Sequence, residues 1–325
     1  MTSRRAPIRT GRGPRAGVRD MTSRLRAEVA GSHRAQLGEG PYWDAPRNRL
    51  LWVDIEAGHV LTHDPATATT EILLDHDDLV SAVLPHADGD LVLGLRDGVG
   101  RWDEHGDAAP RLVLPLQADD PEVRCNDAGV GPDGVLWIGT MHLGGSDPVA
   151  ALYRVGGSPT DSDVEVVRDG LTISNGLGWS PDGRILHHID TPTRRITDLH
   201  LDVDGRVVDA TVRATIPEGA GYPDGLAVDV DGGIWVALWG GGAVWRIAPD
   251  GEVDTIVEVA STNVTSCAFA GPDLDVLYIT TGGPQVGSQG SGAGALFTLR
   301  PGIAGVYVGP VTRDIPERAT WQPGH

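Results

Sequence analysis

Six polar residues occur at the same position of an internal repeat, and their side chains could together bind a metal ion. Five of them lie seven residues before the Asp of a repeated turn, and the sixth is aligned with these through a shared Trp. They are Glu39, Ser81, Asn126, Asn175, Asp224 and Ser266. Carboxylates that meet at one point repel each other unless a cation lies between them. Side chains that offer only oxygen favour a hard cation such as Ca²⁺, Mg²⁺ or Mn²⁺.

An alternative interpretation of these residues is purely local. Asn, Asp and Ser that precede a small residue often form turns by hydrogen bonding to their own backbone. Such turn residues have no reason, however, to recur at a constant distance from the next turn. The shared position therefore favours a divalent-cation site over six unrelated turns.

The repeat itself indicates the elements that position these side chains. A turn similar to Pro-Asp-Gly precedes a β-rich run of residues six times along the chain. The turn aspartates are Asp44, Asp88, Asp133, Asp182, Asp231 and Asp273, at spacings of 44, 45, 49, 49 and 42 residues. A second run of alternating apolar and polar residues follows in each unit, which is typical of strands that are buried on one face.

Repeats of this length predict the fold. Units of roughly 40–50 residues with several strands each indicate the blades of a propeller. The 45 Gly and 23 Pro residues agree with a chain that contains many turns. We therefore predict an all-β protein, a six-bladed β-propeller in one domain over residues 27–325, and we expect residues 27–34 to close the ring by joining the last blade.

The composition excludes several classes of function. The 26 basic residues are all Arg, so there is neither a Schiff-base lysine nor a phosphate-binding loop lysine. Two Cys are too few for a disulfide scaffold or a Cys-rich metal module. A formal net charge of −19 disfavours nucleic acid and anionic lipid as partners. Apolar runs are far shorter than the roughly 20 residues of a membrane span, so we expect no membrane partner and a cytoplasmic location.

The N-terminal segment differs from the rest of the chain. Residues 1–26 contain eight Arg, one acidic residue and no apolar periodicity, so we predict a disordered tail. Arg4 and Arg5 form a twin-arginine pair, but the apolar segment of roughly 7–15 residues that an export signal requires does not follow it.

Six short motifs resemble one known family. In chain order they are LGEGPYW at residues 37–43, RCND at 124–127, GTM at 139–141, ISNGL at 173–177, PDGL at 223–226 and TSC at 265–267. The pattern resembles the senescence marker protein/regucalcin/gluconolactonase family of six-bladed propellers that hydrolyse sugar lactones with a divalent metal. The resemblance implies that Glu39, Asn175 and Asp224 bind the metal, and that Arg124 and Asn126 contact the substrate. An exposed surface residue is the alternative interpretation of Arg124.

Two positions depart from the family pattern. Ala128 stands where the family usually has the Gly of an Asn-Asp-Gly sequence, so that loop is expected to lie slightly differently. Gly144 stands where some animal members place a substrate-contacting Glu, which leaves the identity of the sugar open.

The expected activity is hydrolysis of an aldonolactone such as a glucono-, xylono- or arabinonolactone, with one divalent ion (Ca²⁺, Mg²⁺, Mn²⁺ or Zn²⁺). We expect Asp224 to accept the proton of the attacking water, and Asp127 is a second candidate for this role. Two alternatives remain, namely a propeller that hydrolyses aryl esters or organophosphates and a calcium-binding propeller without turnover. The Gly- and Ser-rich segment 282–294 is expected to be a flexible loop over one rim of the ring.

Overall fold

The chain folds into a ring of six β-sheets. The structure, a computed structural model, describes residues 22–156 and 164–317. Five sheets have four strands each and the remaining one has five. The predicted six-bladed β-propeller is therefore confirmed. Over the described ranges, no helix has the length and apolar character needed to cross a membrane.

The blades are numbered in chain order, with the strands of each blade given from the axis outward. Two N-terminal strands come first, β1 (Ser23–Arg26) and β2 (Glu28–Val29). Blades 1 and 2 comprise β3 (Gly38–Asp44), β4 (Arg49–Asp54), β5 (His59–Asp64), β6 (Thr69–Asp75), β7 (Val80–Pro85), β8 (Leu91–Leu95), β9 (Gly98–Trp102) and β10 (Arg111–Pro115). Blades 3 and 4 comprise β11 (Val123–Val130), β12 (Leu136–His142), β13 (Ala150–Val155), β14 (Val164–Leu171), β15 (Ser174–Trp179), β16 (Ile185–Asp190), β17 (Arg195–Leu201) and β18 (Val207–Thr215). Blades 5 and 6 comprise β19 (Tyr222–Val228), β20 (Ile234–Trp239), β21 (Ala243–Ile247), β22 (Val253–Glu258), β23 (Val264–Ala270), β24 (Val276–Thr281) and β25 (Phe297–Leu299).

The inner strands of the blades surround one axis. β3 contacts β7, and the contacts continue through β11, β15, β19 and β23, which in turn contacts β3. Within residues 22–156 and 164–317, connections between strands contain three short 3-10 helices, Ala45–Arg47, Thr191–Thr193 and Pro284–Val286. This closed ring places the six inner strands next to one another around the axis.

The repeated turns join each inner strand to the second strand of its blade. Gly134 and Gly183 adopt the left-handed conformation in these turns, with φ of 74° and 69°, where a residue without Cβ is favoured. Blades 1 and 6 have no Gly at this point, and Asn48 and Leu274 take the same conformation with φ of 50° and 53°. The turn geometry is therefore kept in all six blades, even where the sequence pattern is weakest.

Large aromatic side chains fill the spaces between blades. Trp52, Trp137 and Trp235 are completely buried, as their strand positions indicate. Trp137 of blade 3 meets Trp179 of blade 4 edge to face, with 6.0 Å between the ring centroids. Such aromatic pairs contribute about 0.5–1.5 kcal/mol beyond the burial of their surface, so they help to hold neighbouring blades in register.

The N-terminal strands close the ring. β2 pairs with β25 and supplies the outer strand of blade 6, which agrees with the expected closure by residues 27–34. β1 pairs in parallel with β22 and adds a fifth strand to blade 5. The predicted boundary of the disordered tail at residue 26 is therefore wrong for Ser23–Arg26, because a four-residue edge strand held by backbone hydrogen bonds shows no apolar pattern. The rest of the predicted tail, residues 1–21, lies outside the described residues.

Removing the N-terminal strands is expected to destabilise the whole ring. Deletion of residues 1–30 removes the β1 and β2 pairings and the buried side chains of Ala27 and Ala30. We expect the free energy of unfolding to fall by about 3–6 kcal/mol relative to deletion of residues 1–21, which removes no described strand. Denaturant unfolding of both variants measures this difference, and equal unfolding midpoints would contradict the role of these strands in closure.

The segment 282–294 is anchored, contrary to the expectation of a flexible loop. The Ser288 side chain is buried, and its Oγ lies 2.9 Å from Ser261 Oγ and accepts a hydrogen bond from Asn263 N. Backbone hydrogen bonds also join Gly294 to Gly282. The composition suggested mobility because it is rich in Gly and Ser, but these residues instead allow close backbone packing.

Candidate metal and substrate site

Every inner strand is irregular where the sequence predicts a channel-facing residue. The pairing of each inner strand with the second strand of its blade shifts register at Glu39/Tyr42, Val80/Ala82, Cys125/Ala128, Asn175/Leu177, Pro223/Leu226 and Val264/Ser266. All six predicted residues lie at or within these shifts. A bulge bends the strand and changes the direction of a side chain, so each inner strand has the same irregularity at its predicted polar residue.

The three predicted metal ligands come from blades 1, 4 and 5. Asn175 and Asp224 are both buried, and Asn175 Nδ2 donates a hydrogen bond to Asp224 Oδ1. Thr191 donates its hydroxyl proton to the Pro223 carbonyl at 2.9 Å. Thr191 Oγ1 therefore acts as the acceptor toward Asn175, whose Nδ2 donates to it at 3.2 Å. Both amide protons of Asn175 are therefore engaged. Among the residues that the structure describes, its Oδ1 accepts only the amide of the next residue, at 3.2 Å, which leaves a lone pair for another partner.

Close packing explains the small residue that follows Asp224. A Cβ on Gly225 would lie 2.1 Å from Ser266 Oγ, in the inner strand of the next blade. Only glycine allows blades 5 and 6 to approach this closely at the axis. The predicted residue Ser266 therefore packs against the backbone of a neighbour.

Three carboxylates place their charges in the same buried region. The pKa of Glu39 is raised well above its usual value by burial and by the charges of Asp224 and Asp127. The pKa of Asp224 is also raised well above normal, first by burial, while the hydrogen bond from Asn175 opposes the shift. Burial raises the pKa of Asp127 to about 6. Among the described residues, none of these three carboxylates forms an ion pair. The nearby charge of Arg124 opposes the upward pKa shifts of Glu39 and Asp224 only in part, so a bound cation would relieve the remaining repulsion.

The donor set fits a hard divalent ion. In the described ranges, no group of three or more His, Cys, Asp and Glu side chains is placed to hold a metal. Glu39, Asp224 and Asp127 therefore do not form such a group together. The predicted ligand set consists instead of the carboxylates of Glu39 and Asp224 and the amide oxygen of Asn175. Oxygen donors of this kind are those that Ca²⁺ and Mg²⁺ prefer.

The two predicted substrate residues lie beside this set and are hydrogen bonded to each other. Arg124 Nη1 donates to Asn126 Oδ1 at 3.0 Å and to the Cys125 carbonyl at 2.7 Å. Asn126 Nδ2 donates to the Ser174 carbonyl of blade 4 at 2.9 Å. Arg124 is only 7% exposed, so the alternative of a surface Arg is wrong. Both of these bonds come from Nη1, and within the described part of the chain the other N–H groups of this buried guanidinium are available to bind hydroxyl or carbonyl oxygens.

The surroundings of Arg124 also shift the pKa of its guanidinium. Burial lowers the pKa of its guanidinium, and the carboxylates of Glu56 and Glu39 oppose that shift. Glu56 is exposed and lies in the turn between β4 and β5. Sequence reasoning missed both Glu56 and Thr191, because neither occurs at the repeated position or in a recognised motif.

Neither departure from the family pattern distorts the site. Ala128 donates its backbone N–H to Asp127 Oδ1 at 2.8 Å and does not have a positive φ, so no glycine is required there. Gly144 is exposed and offers no side chain to a ligand. The loop at Ala128 therefore shows no backbone strain that would support the expected shift.

The remaining polar residues near the axis serve the packing of the ring. Ser81 Oγ donates to the Asn126 carbonyl at 2.8 Å and so links blades 2 and 3. Cys125 is buried, which raises the pKa of its thiol to about 12 and leaves it unreactive. A cavity of about 590 Å³ lies on the turn side of the axial residues, lined in part by Asp127 and Ser266 and bordered by residues 306–310.

The comparison with known proteins decides the family. A family model described as the SMP-30/Gluconolactonase/LRE-like region matches residues 37–283, which is most of the chain. The chain belongs to this family. The match spans all six motifs and confirms the resemblance that they indicated.

Individual members of the SMP-30/gluconolactonase family are similar along most of their length. A pentonolactonase from Haloferax volcanii is 37% identical over 81% of this chain and 90% of that protein. A 6-deoxy-6-sulfogluconolactonase from Pseudomonas putida is 34% identical over 75% of this chain and 83% of that protein. A solved structure of regucalcin from Agrobacterium tumefaciens, described as a calcium-binding protein, superposes with a TM-score of 0.79 at 27% identity, covering 91% of this chain and 98% of that chain.

Proposed function

We propose that the protein hydrolyses sugar lactones to aldonic acids with the help of one divalent metal ion. The observation that carries the proposal is the juxtaposition of two residue sets at the axis. The oxygen donors of Glu39, Asn175 and Asp224 suit a cation, and the adjacent Arg124–Asn126 pair suits a substrate rich in hydroxyl groups. Relatives named as a pentonolactonase and a sulfogluconolactonase support the same reaction class.

The side chains of the site have distinct roles in this reaction. An ion held by Glu39, Asn175 and Asp224 would supply a Lewis acid that polarises the lactone carbonyl. Arg124 orients the substrate by donating to its hydroxyl or ring oxygens. One N–H of the Asn126 side chain donates to the Ser174 carbonyl, and the other is available to donate to a substrate oxygen.

Proton transfer is assigned to Asp224. As water adds to the carbonyl carbon, the Asp224 carboxylate accepts a proton from that water through Oδ2, since Oδ1 accepts from Asn175. The bond from the carbonyl carbon to the ring oxygen then breaks, and the ring oxygen takes up the proton to become a hydroxyl. The product is an aldonic acid, which ionises near neutral pH and releases one proton to solution.

The hydrogen-bonded Arg124–Asn126 pair favours aldonolactones over aryl esters or organophosphates. A site built to hydrogen bond a substrate hydroxyl rejects an analogue that lacks it, because its own buried polar groups are then left without partners. The test is a substrate panel followed by proton release, with glucono-, xylono- and arabinonolactones against phenyl acetate and paraoxon. Higher kcat/KM for the two aromatic substrates would move the assignment to the ester or organophosphate class.

A calcium-binding propeller without turnover is the second candidate function. It is favoured by the description of the similar regucalcin structure as a calcium-binding protein. The two candidates share the metal ligands but differ in their need for Arg124. Substitution of Arg124 leaves all three predicted metal ligands in place in both cases, and it affects turnover only in the lactonase.

Substitution of Arg124 is expected to weaken substrate binding. Arg124→Gln removes a charged donor, and we expect KM for an aldonolactone to rise by about 10- to 100-fold, since hydrogen bonds to charged groups contribute about 1.5–3 kcal/mol. Arg101→Gln is the matched control, because Arg101 pairs with Asp88 and Asp90 at the turn between β7 and β8 and not with a predicted site residue. Steady-state kinetics of both variants decides the matter. Equal KM values for the two variants would show that Arg124 does not take part in substrate binding.

A further inference from the structure

A line of hydrogen bonds crosses the interface between blades 3 and 4 and ends at the substrate-binding pair. Arg168 on β14 contacts His188 on β16, with 3.2 Å between Arg168 Nη1 and His188 Nδ1. His188 Nε2 lies 2.9 Å from Ser174 Oγ on β15. His188 and Ser174 are completely buried, so neither side chain exchanges these partners with solvent.

The donors and acceptors in this line are fixed by elementary chemistry. A guanidinium has only N–H donors and no acceptor, so His188 Nδ1 must accept from Arg168. The imidazole is therefore neutral with its proton on Nε2, and Nε2 donates to Ser174 Oγ. Burial, together with the charge of Arg168, lowers the pKa of His188 to about 3, which agrees with a neutral ring near pH 7.

This proton placement excludes a nucleophilic role for Ser174. A general base must present an unprotonated nitrogen to the hydroxyl that it activates, whereas His188 Nε2 already carries its proton. The pair resembles a Ser–His dyad in composition, but the hydrogen bond runs from histidine to serine. Its function is therefore to hold Ser174 in place.

Ser174 is also fixed by packing. A Cβ on Gly139 would lie 2.4 Å from Ser174 Oγ and 2.5 Å from its Cβ, so Gly139 of the GTM motif is required for the close approach of β12 to β15. The Ser174 carbonyl accepts from Asn126 Nδ2, and Arg124 donates to Asn126 Oδ1. Because a carbonyl only accepts and a guanidinium only donates, both ends of the Asn126 amide have a single allowed orientation.

We propose that Arg168, His188 and Ser174 are positioning residues that fix the side chain of Asn126 from the interface between blades 3 and 4. The consequence for catalysis rests on the proposed function, because Asn126 and Arg124 are the groups that hold the substrate. Disturbing any member of the line loosens Asn126 and, through it, Arg124.

The composition of the chain offers a direct test by NMR. There are four Asn residues, Asn48, Asn126, Asn175 and Asn263, so selective ¹⁵N-Asn labelling gives four pairs of side-chain amide signals, which substitution of each Asn assigns. We expect His188→Leu to shift the Asn126 signal and to speed its exchange with water. Asn263 is the internal control, because it donates to the Val286 carbonyl in blade 6. Its signal should stay in place and report that the ring is folded.

Two further variants keep this test decisive. His188→Gln can still accept from Arg168 and donate to Ser174, and it should restore the Asn126 signal toward its original position. Ser174→Ala removes only a hydroxyl group, and it serves as the test variant if His188→Leu does not fold. An Asn126 signal unchanged in both His188→Leu and Ser174→Ala would overturn the proposal.

Kinetics tests the consequence for the reaction. We expect His188→Leu to lower kcat/KM for an aldonolactone by about 10-fold, mainly through KM, as is usual for groups that orient residues of a site. The same substitution should have little effect in an Asn126→Ala background, because its effect passes through Asn126. An undiminished 10-fold loss in that background would indicate a general effect on the fold and would contradict the proposal. Absence of lactone turnover by the unmodified protein would overturn the proposed function, and the NMR comparison would still decide the positioning role.

Discussion

Asp224→Asn is expected to reduce kcat/KM for an aldonolactone by about 10³-fold without unfolding the protein. The substitution removes the carboxylate that accepts the proton of water, and general base catalysis typically contributes 10²- to 10⁴-fold. Asn keeps an oxygen that can accept the hydrogen bond from Asn175. It also removes one of three mutually repelling buried charges, so the thermal midpoint in the absence of metal should stay equal or rise. Steady-state kinetics and thermal unfolding of the same preparation measure both effects.

Asp127→Asn is the matched control for this prediction. Asp127 is a carboxylate of the same region, and its only hydrogen bond among the described residues is to the N–H of Ala128. If Asp224 is the base, Asp127→Asn should cost no more than about 10-fold in kcat/KM, an effect on local charge rather than on proton transfer. A large loss in Asp127→Asn and a small one in Asp224→Asn would reverse the two assignments.

Removal of one carboxylate ligand is expected to abolish tight metal binding. We expect Glu39→Gln to weaken the binding of Ca²⁺, used as the probe ion, by about 10²-fold, because the neutral amide cannot compensate the charge of the ion. Ca²⁺ at 100 times its Kd should stabilise the unmodified protein by about 2.7 kcal/mol and have little effect on the variant. Calorimetric titration and thermal unfolding with and without Ca²⁺ test this prediction.

The pH dependence of binding has a definite sign. The pKa values of Glu39 and Asp224 are raised by burial and by neighbouring carboxylates, so both groups hold protons at a higher pH than ordinary carboxylic acids do. The ion binds only the deprotonated form. Affinity should therefore fall as the pH is lowered, and the fall should begin at a higher pH than it would for ordinary carboxylic acids. Binding that is equally tight in Glu39→Gln, or that strengthens in acid, would contradict a site made from these carboxylates.

The positions of the axial residues could be predicted because their signal repeats. The turn before the second strand fixes the register of each blade, and a bulge lies at the corresponding point of every inner strand. A residue at constant distance from the turn must then face the same channel. This is why Asn175 and Asp224, 49 residues apart, meet in a hydrogen bond.

Features without such a signal could not be predicted. Ser23–Arg26 joins blade 5 through backbone hydrogen bonds to a distant strand, which leaves no pattern in its side chains. Ser288 looked like part of a flexible loop because of its Gly-rich neighbours, yet it is buried against residues that precede it by about 25 positions. The contact of Arg168 with His188 depends on how two blades pack. Tertiary contacts decide these cases, and single-sequence periodicity does not contain them.

The most direct test of the proposed activity is proton release from aldonolactones by protein that has been stripped of metal with a chelator. Ca²⁺, Mg²⁺, Mn²⁺ and Zn²⁺ are then added back separately, with Asp224→Asn measured in parallel. A metal-dependent lactonase should be inactive when stripped, regain turnover with at least one ion and remain inactive in Asp224→Asn. Stoichiometric metal binding without turnover of any lactone, or full turnover after complete removal of metal, would contradict the assignment.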